Sequence, residues 1–235
     1  MNTNWLVEEI SYKFDFYNDY LENQLGYQPL IDDMIAQLGT QISVLDYGCG
    51  GGKVSRRLIE RGIEKVTGVD ISYVMVDKAS SHAQKGNSRY QKITSGKLPF
   101  ESGSFNAAIC CYVFINNNEK DELLKIAKEV FRTIKKGGVF YVLDTNPDST
   151  GIKFSNFKNG DSNIDYKDGE ARDVYLDLPS GEKFNIVDTH WNKQTYIDKL
   201  SSAGFVNIDI IERFEIEKIN NKYWAPFVMF RCKKY

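Results

Sequence analysis

A short apolar run followed by a glycine-rich loop is the feature that most restricts the fold of this chain. The run Ile42 to Leu45 predicts a strand, and an amphipathic helix is predicted from Lys53. The loop between them reads Asp46-Tyr47-Gly48-Cys49-Gly50-Gly51-Gly52. Glycines let a backbone turn sharply and approach a ligand closely. Strand, glycine loop and helix in this order predict a nucleotide-like cofactor.

Short apolar runs alternate with helical patterns along most of the chain, which predicts a parallel sheet with helices on both faces. The expected fold class is α/β, a Rossmann-like, doubly wound, mostly parallel sheet of seven strands. The predicted strands span 42–45, 65–69, 90–93, 105–111, 139–143, 206–211 and 224–231. Ligands of such sheets bind beyond the carboxyl ends of the strands, where the strand order reverses.

The two ends of the chain are assigned to the same fold. Residues 1–38 carry two predicted amphipathic helices, interrupted near Gly26 and Pro29, and form an N-terminal helical cap. Residues 39–145 form the predicted cofactor-binding core, and residues 191–235 are expected to complete its sheet.

The segment 146–190 is predicted to be an insertion after the fifth strand. It begins with a polar excursion up to residue 173 and continues with two alternating runs, 174–178 and 184–189. The Pro-Ser-Gly-Glu sequence at 179–182 suits a tight turn between them. A β-hairpin lid over the ligand site is therefore expected.

Composition and charge favour a small-molecule partner. The formal net charge is −2, which offers little attraction to nucleic acid, because nonspecific binding to it depends on neutralising phosphates. The sequence has no run of about 18 apolar residues and no signal peptide, so a cytoplasmic protein without a membrane partner is expected. The four cysteines lack metal-binding spacing, so no metal site is predicted. A monomer or homodimer is expected.

The spacing within the glycine loop distinguishes between cofactors. The dinucleotide fingerprint requires glycine at position 53, which is Lys53, and a P-loop requires Ser or Thr at Val54. A carboxylate at Asp46 would repel a pyrophosphate but suits the ammonium and sulfonium of S-adenosylmethionine (SAM). Asp70, which ends the second predicted strand, can accept hydrogen bonds from both ribose hydroxyls.

Three segments together resemble the class I SAM-dependent methyltransferases. They are Val44-Leu45-Asp46-Tyr47-Gly48-Cys49-Gly50-Gly51-Gly52, Val69-Asp70-Ile71-Ser72, and Leu98-Pro99-Phe100-Glu101-Ser102-Gly103-Ser104-Phe105-Asn106. The resemblance covers roughly residues 40 to 145. It implies a methyltransferase that uses SAM and releases S-adenosylhomocysteine.

The resemblance also implies which residues meet SAM. The glycine loop faces the methionine part, Asp70 the ribose, and Thr94 or Ser95 the adenine, where the family often has an aspartate. A tyrosine of the cap commonly meets the cofactor carboxylate, and the sequence does not choose among Tyr12, Tyr17 and Tyr20. The candidate cofactor contacts are Tyr12, Tyr20, Asp46, Gly48, Cys49, Gly50, Asp70, Ile71, Thr94, Ser95 and Cys111.

The acceptor site is predicted from position in the family. Thr189-His190-Trp191 with Tyr196 and Ala203-Gly204-Phe205 resembles a pattern that follows the lid hairpin in small-molecule methyltransferases. His190 at the lid edge is the candidate catalytic base. The candidate acceptor contacts are Tyr112, Phe114, Asn116, Asn146 and Trp191.

The expected function is methyl transfer to a nitrogen or oxygen of a small molecule. Two alternatives remain open. The first is a methyltransferase that acts on RNA or protein, which the charge balance and the long lid disfavour. The second is a nicotinamide-dependent oxidoreductase built on the same sheet.

Overall fold

The computed structural model describes residues 2–84, 86–215 and 218–235. The strands are β1 Ser43–Tyr47, β2 Lys65–Asp70, β3 Ser88–Lys92, β4 Phe105–Cys111, β5 Ile134–Thr145, β6 Phe157–Asn159, β7 Ala171–Asp177, β8 Lys183–Thr189, β9 Val206–Glu212 and β10 Phe227–Lys233. The α-helices are α1 Glu8–Asp15, α2 Tyr20–Glu22, α3 Gln28–Leu38, α4 Lys53–Glu60, α5 Tyr73–Ser81, α6 Lys120–Thr133 and α7 Lys193–Ala203. None of the described helices is long and apolar enough to cross a lipid bilayer.

Seven strands form one twisted sheet in the order β3-β2-β1-β4-β5-β10-β9. The first five strands run parallel, and β10 is antiparallel to both β5 and β9. The strand order reverses between β1 and β4. The predicted seven-stranded, mostly parallel Rossmann-like fold is therefore confirmed, with a ligand crevice expected beyond the carboxyl ends of these two strands.

Side chains alternate between the two faces of the sheet. Val44 points into an apolar layer that is shared with the cap and the insertion. Its neighbour Leu45 points into a second layer that packs against α6 and α7. Both residues are fully buried. Because both faces of the central strands are covered, their sequences are apolar at nearly every position.

The cap contains two helical stretches, as predicted, but the break between them lies elsewhere. The chain leaves helical structure between Asp15 and Tyr20, and then continues from α2 through a π-helical segment, Asn23–Tyr27, into α3. The predicted interruption at Gly26 and Pro29 is wrong. Pro29 occupies the first turn of α3, directly after the π-helical segment, where the missing N–H is tolerated.

The insertion is a three-stranded antiparallel sheet in the order β6-β7-β8, which we call the lid sheet. The predicted hairpin is present as β7 and β8, with Asp177 opposite Lys183. The strand β6 arises from the segment predicted as an irregular excursion. Three residues are too few to show the alternation by which a strand is recognised in a sequence.

Candidate functional site

A cavity of about 380 Å³ lies at the reversal of strand order. Its floor is the glycine loop and the ends of β1 and β4, and its other walls come from the cap and the lid sheet. The residues of the cap and lid sheet that line it include Trp5, Phe14, Tyr17, Glu22, Phe157, Asn159, Val174, Leu176, Ile186 and Asp188. Of the predicted contacts, it is lined by Asp46, Gly48, Cys49, Gly50, Asp70, Ile71, Ser95, Cys111, Tyr112 and Asn116.

The glycine loop is held by β2 and leaves open space above it. The backbone N–H groups of Gly48 and Cys49 both donate to the carbonyl oxygen of Val69, at 2.8 and 3.0 Å. A Cβ at Gly48 would lie 2.2 Å from Val113 Cγ2. A Cβ at Gly50, where φ is +50°, would meet no atom of the described residues within 4 Å. Gly50 therefore borders the space that a ligand can fill.

Asp70 joins the end of β2 to the glycine loop. Its Oδ2 accepts a hydrogen bond of 2.9 Å from the backbone N–H of Gly50, and its Oδ1 accepts one of 2.8 Å from Ser72. Burial raises the pKa of Asp70, and these two hydrogen bonds oppose that shift. Each carboxylate oxygen has a further lone pair, so the group can also accept hydrogen bonds from two vicinal hydroxyls.

Asp46 is the most deeply buried carboxyl group at the loop, with 1% of the residue exposed. Its Oδ2 accepts a hydrogen bond of 2.6 Å from the Ser55 hydroxyl. Burial is the main cause that raises the pKa of Asp46 to about 7, and the nearby Asp70 adds to it. A positively charged ligand in the cavity would favour the ionised form of Asp46.

Among the three candidate tyrosines, Tyr12, Tyr17 and Tyr20, the structure places only Tyr17 at the cavity. Tyr17 is buried, and its hydroxyl donates to Glu22 Oε1 at 2.5 Å. Tyr12 and Tyr20 are 59% and 65% exposed and do not line the cavity. Tyr17 follows the end of α1, so helical spacing measured from Tyr12 does not predict which way it points.

At the predicted adenine side, the structure separates the two candidates. Ser95 lines the cavity, whereas Thr94 forms an isolated bridge with Lys97 and does not line it. The hydroxyl of Tyr47 accepts a hydrogen bond of 2.9 Å from the backbone N–H of Gly96. This bond fixes the chain next to Ser95 at the cavity wall.

The segment after β4 forms the wall between the glycine loop and the lid sheet. Tyr112 has φ of +57°, and its hydroxyl is buried without a partner among the described residues. The Asn116 side chain accepts a hydrogen bond of 2.8 Å from Trp5 Nε1 and donates one of 2.6 Å to the Tyr112 carbonyl. Phe114 does not line the cavity, because it is fully buried and stacks on Tyr196.

Three further candidates are buried away from the cavity lining. Asn146 donates to Glu212 Oε1 at 2.5 Å, and Trp191 Nε1 donates to the carbonyls of Phe114 and Asn117 at 3.2 and 3.1 Å. His190 packs against the Tyr166 ring at 5.9 Å between centroids, and 5% of the residue is exposed. Burial and the nearby Arg172 lower the pKa of His190. In this structure Asn146, Trp191 and His190 therefore pack around the cavity and do not line it.

A buried ion pair that the sequence did not predict fastens the lid sheet. Arg172 of β7 makes two hydrogen bonds to Asp188 of β8, at 2.9 and 2.8 Å. Its guanidinium also donates to Thr145 at the end of β5 and to Thr150, each at 2.9 Å. Asp188 and Thr145 line the cavity. The pair therefore fixes the lid sheet against the core at the cavity wall.

Glu22 is a second cavity residue that the sequence did not predict. It is 7% exposed and lines the cavity from the cap. A single acidic residue in an amphipathic helical pattern is ordinarily solvated, so no sequence signal distinguishes it. Burial raises the pKa of Glu22 to about 7.

Comparison with known proteins fits this geometry. A family model for a methyltransferase domain matches residues 44–138. The N-demethylindolmycin N-methyltransferase of Streptomyces griseus is 30% identical over 71% of this chain and 70% of its own length. The ubiquinone/menaquinone biosynthesis C-methyltransferase of Rhizobium johnstonii is 27% identical over 60% of this chain, which spans 57% of that relative.

The fold is also found in a crystal structure of an S-adenosylmethionine-dependent methyltransferase from Clostridium acetobutylicum. The TM-score is 0.68 at 16% identity, covering 97% of this chain and 98% of that one. With the glycine loop, Asp70 and the family model in agreement, the chain is a SAM-dependent enzyme and belongs to the class I SAM-dependent methyltransferases.

Proposed function

We propose that the enzyme methylates a nitrogen or oxygen atom of a small molecule that binds between the cap and the lid sheet. The observation that carries this proposal is the continuity of the cavity, which extends from the glycine loop to Phe157, Val174 and Ile186 of the lid sheet. The N-methyltransferase from Streptomyces griseus, named for a small-molecule substrate, supports it. A cytoplasmic location and a monomeric or dimeric state stay predictions.

The charges around the cavity favour a small acceptor over nucleic acid. Among the described residues, Lys53 is the only basic side chain that lines it. The acidic residues that line it are Asp19, Glu22, Asp46, Asp70 and Asp188. The sugar-phosphate backbone of a nucleic acid would meet net negative charge at this cavity, whereas nucleic-acid sites are rich in lysine and arginine.

The residues of the cavity fit SAM. The open space over Gly50 admits the methionine part, Asp46 suits its positive charge, and Asp70 suits the ribose hydroxyls. We place the adenine near Ser95. When bound, SAM supplies a methyl group on a positively charged sulfur. The chain contributes orientation and exclusion of water from the reacting atoms.

The proposal is tested by following the label from [methyl-³H]SAM. We expect the label to move from SAM into other compounds that pass a filter of about 1 kDa, and these are separated from SAM by chromatography. This is the size range that a pocket of several hundred Å³ accepts. Label recovered instead in RNA or in protein would contradict the small-molecule proposal. A thermal-shift series with SAM, S-adenosylhomocysteine and NADH tests the nicotinamide alternative, since only a ligand of the native state raises Tm.

Asp70→Ala is expected to weaken SAM binding by about 1 to 3 kcal/mol, the usual loss for a buried charged hydrogen bond. Calorimetry measures the change directly. Asp77→Ala on the exposed face of α5 removes the same charge nearby and serves as the matched control. Equal affinities of the Asp70 variant and the wild type would remove Asp70 from the ribose site.

SAM affinity is expected to rise with pH because of Asp46. The pKa of Asp46 is about 7 in the free protein, and the sulfonium favours its ionised form. Binding therefore releases protons below pH 7, and affinity should increase about tenfold from pH 6 to pH 8. S-adenosylhomocysteine carries the same amino group without the sulfonium, so its affinity should change less. Identical pH profiles for both ligands, or an unchanged SAM profile in Asp46→Asn, would argue against this role.

His190→Ala is expected to lower kcat far less than the about 10²-fold that loss of a general base produces. The ring lies outside the cavity lining and packs on Tyr166, so the variant should instead lose about 1 to 3 kcal/mol of stability. Urea unfolding and steady-state kinetics separate the two effects. A loss of kcat near 10²-fold with unchanged SAM affinity would restore His190 as the base.

A further inference from the structure

Glu22 has one carboxylate oxygen that the protein leaves nearly free. Its Oε1 accepts the short hydrogen bond from the Tyr17 hydroxyl at 2.5 Å. Oε2 accepts a long hydrogen bond of 3.4 Å from Asn156 Nδ2, and the backbone N–H of Glu22 also contacts the carboxylate. Because Glu22 lines the cavity, Oε2 has lone pairs available for a ligand.

The other acidic residues of the cavity are already paired or assigned. Asp19 pairs with Arg57 at 2.8 Å, and Asp188 pairs with Arg172 at 2.8 Å. Asp46 and Asp70 lie at the glycine loop and suit SAM. Glu22 has no ion pair among the described residues, and a buried carboxylate without a cation is costly. A cation beside Glu22 would therefore balance the charge of the cavity.

None of the described groups around Glu22 forms an ion pair with it, so a ligand can supply the cation. The titratable or charged groups around it are Tyr17, Asp19 and Tyr27 of the cap, Tyr112 after β4, and Lys53 of α4. The Lys53 ammonium donates to the Tyr17 carbonyl at 3.3 Å instead of to Glu22. Burial lowers the pKa of Lys53, and the nearby carboxylates of Asp19 and Glu22 oppose that shift.

Aromatic rings surround the same end of the cavity. Trp5, Phe14, Tyr17 and Tyr27 contribute from the cap, and Phe157 contributes from the lid sheet. The faces of aromatic rings attract cations, most strongly where water is excluded. An apolar wall with one carboxylate is the chemistry that recognises an aryl or alkyl ammonium ion.

An unpartnered polar atom at this cavity independently indicates a ligand. Asn159 of β6 lines the cavity, only 4% of the residue is exposed, and its Oδ1 has no hydrogen-bond partner among the described residues. Buried polar groups in native proteins are nearly always hydrogen-bonded, so an N–H donor from a ligand would satisfy Asn159 Oδ1.

We propose that the acceptor is an amine, which binds as an ammonium ion against Glu22, and that Glu22 takes the proton that the nitrogen must lose before methylation. The inference rests on the proposed function, because it places the acceptor of that methyl transfer. It narrows the acceptor atom to nitrogen and assigns a catalytic residue from the cap.

The proton step balances. One N–H bond of the ammonium breaks, its proton passes to Glu22 Oε2, and the nitrogen keeps the electron pair that methylation uses. The methylated product is again an ammonium ion. The proton on Glu22 leaves to water when the product departs, which restores the carboxylate. In the free protein burial raises the pKa of Glu22 to about 7, which makes this carboxyl group a stronger proton acceptor than an ordinary glutamate.

Calorimetry with matched ligand pairs tests the proposal. The protein is saturated with S-adenosylhomocysteine at pH 7.5 and titrated with 2-phenylethylamine against 2-phenylethanol, and with tryptamine against tryptophol. We expect each amine to bind about tenfold or more tightly than its alcohol, as the net value of a charged hydrogen bond requires. Glu22→Gln should abolish this preference and leave the affinity for S-adenosylhomocysteine within about twofold. Glu9→Gln, on the exposed face of α1, is the matched control.

Each other outcome overturns the inference. Equal binding of amines and alcohols, or binding of none of the four, contradicts an ammonium site. If Glu22→Gln still prefers amines over alcohols, another group recognises the ammonium ion. If that variant loses much of its affinity for S-adenosylhomocysteine or SAM, Glu22 belongs to the cofactor site. If the wild-type protein binds SAM but does not prefer amines over alcohols, the amine inference is wrong and the proposed function is unaffected. Alcohols methylated in the labelling assay would leave the proposed function standing.

Discussion

Gly50→Val is expected to abolish SAM binding while the protein still folds. The left-handed backbone at φ of +50° costs a residue with a Cβ about 1 to 2 kcal/mol. The added side chain meets no described residue and projects into the open space that the methionine part of SAM requires. We expect affinity to fall by at least about 100-fold, which corresponds to about 2.8 kcal/mol. Calorimetry with SAM measures the loss, and circular dichroism checks the fold.

The control for this prediction separates backbone strain from steric exclusion. Gly137, at the irregular start of β5, also has a positive φ, +79°, and a Cβ there meets no described residue within 4 Å. It does not line the cavity. Gly137→Val should carry similar strain and bind SAM normally. Wild-type affinity in Gly50→Val would move the cofactor away from the loop.

The parts of the site that were predictable are those encoded in neighbouring residues. The strand, glycine loop and helix around Gly48 and Gly50 are contiguous, and Asp70 follows at the end of the next strand. Parallel pairing of β1 and β2 then brings Asp70 to Gly50, at 2.9 Å. Local order along the chain was enough to predict that both residues lie at the carboxyl ends of neighbouring strands.

The cap and lid sheet were less predictable because their contacts depend on where elements end. Tyr17 lines the cavity and lies two residues beyond the end of α1 at Asp15. Helical spacing therefore does not predict the direction of its side chain. On β8, alternation aims Ile186 and Asp188 at the cavity, but the strand ends at Thr189. His190 lies just beyond that end and packs on Tyr166.

Glu22 and Arg172 could not be predicted, because their roles come from partners far along the chain. Glu22 meets Asn156 across 134 positions, and Arg172 meets Thr145 across 27. Charged residues in amphipathic segments are usually solvated, so neither carries a sequence signal for burial. Only the packing of the lid sheet on the core removes both groups from water.

Arg172→Ala is expected to destabilise the protein by about 3 to 5 kcal/mol, the cost of leaving one member of a buried ion pair without its partner. The side chains of Arg172 and Asp188 are 1% and 2% exposed. The substitution leaves the Asp188 carboxylate buried and removes the donors to Thr145 and Thr150. Urea unfolding at pH 7 measures the change in free energy.

Two comparisons identify the cause of that loss. Arg61→Ala removes an arginine from the exposed pair with Asp32, whose side chains are 45% and 58% exposed, and should change stability by no more than about 1 kcal/mol. The double variant Arg172→Met with Asp188→Leu removes both buried charges and keeps the volume apolar. It should recover much of the stability, because the penalty in Arg172→Ala comes from an unpaired charge. A double variant as unstable as Arg172→Ala would instead show that the two threonine contacts and the shape of the guanidinium hold the lid sheet in place.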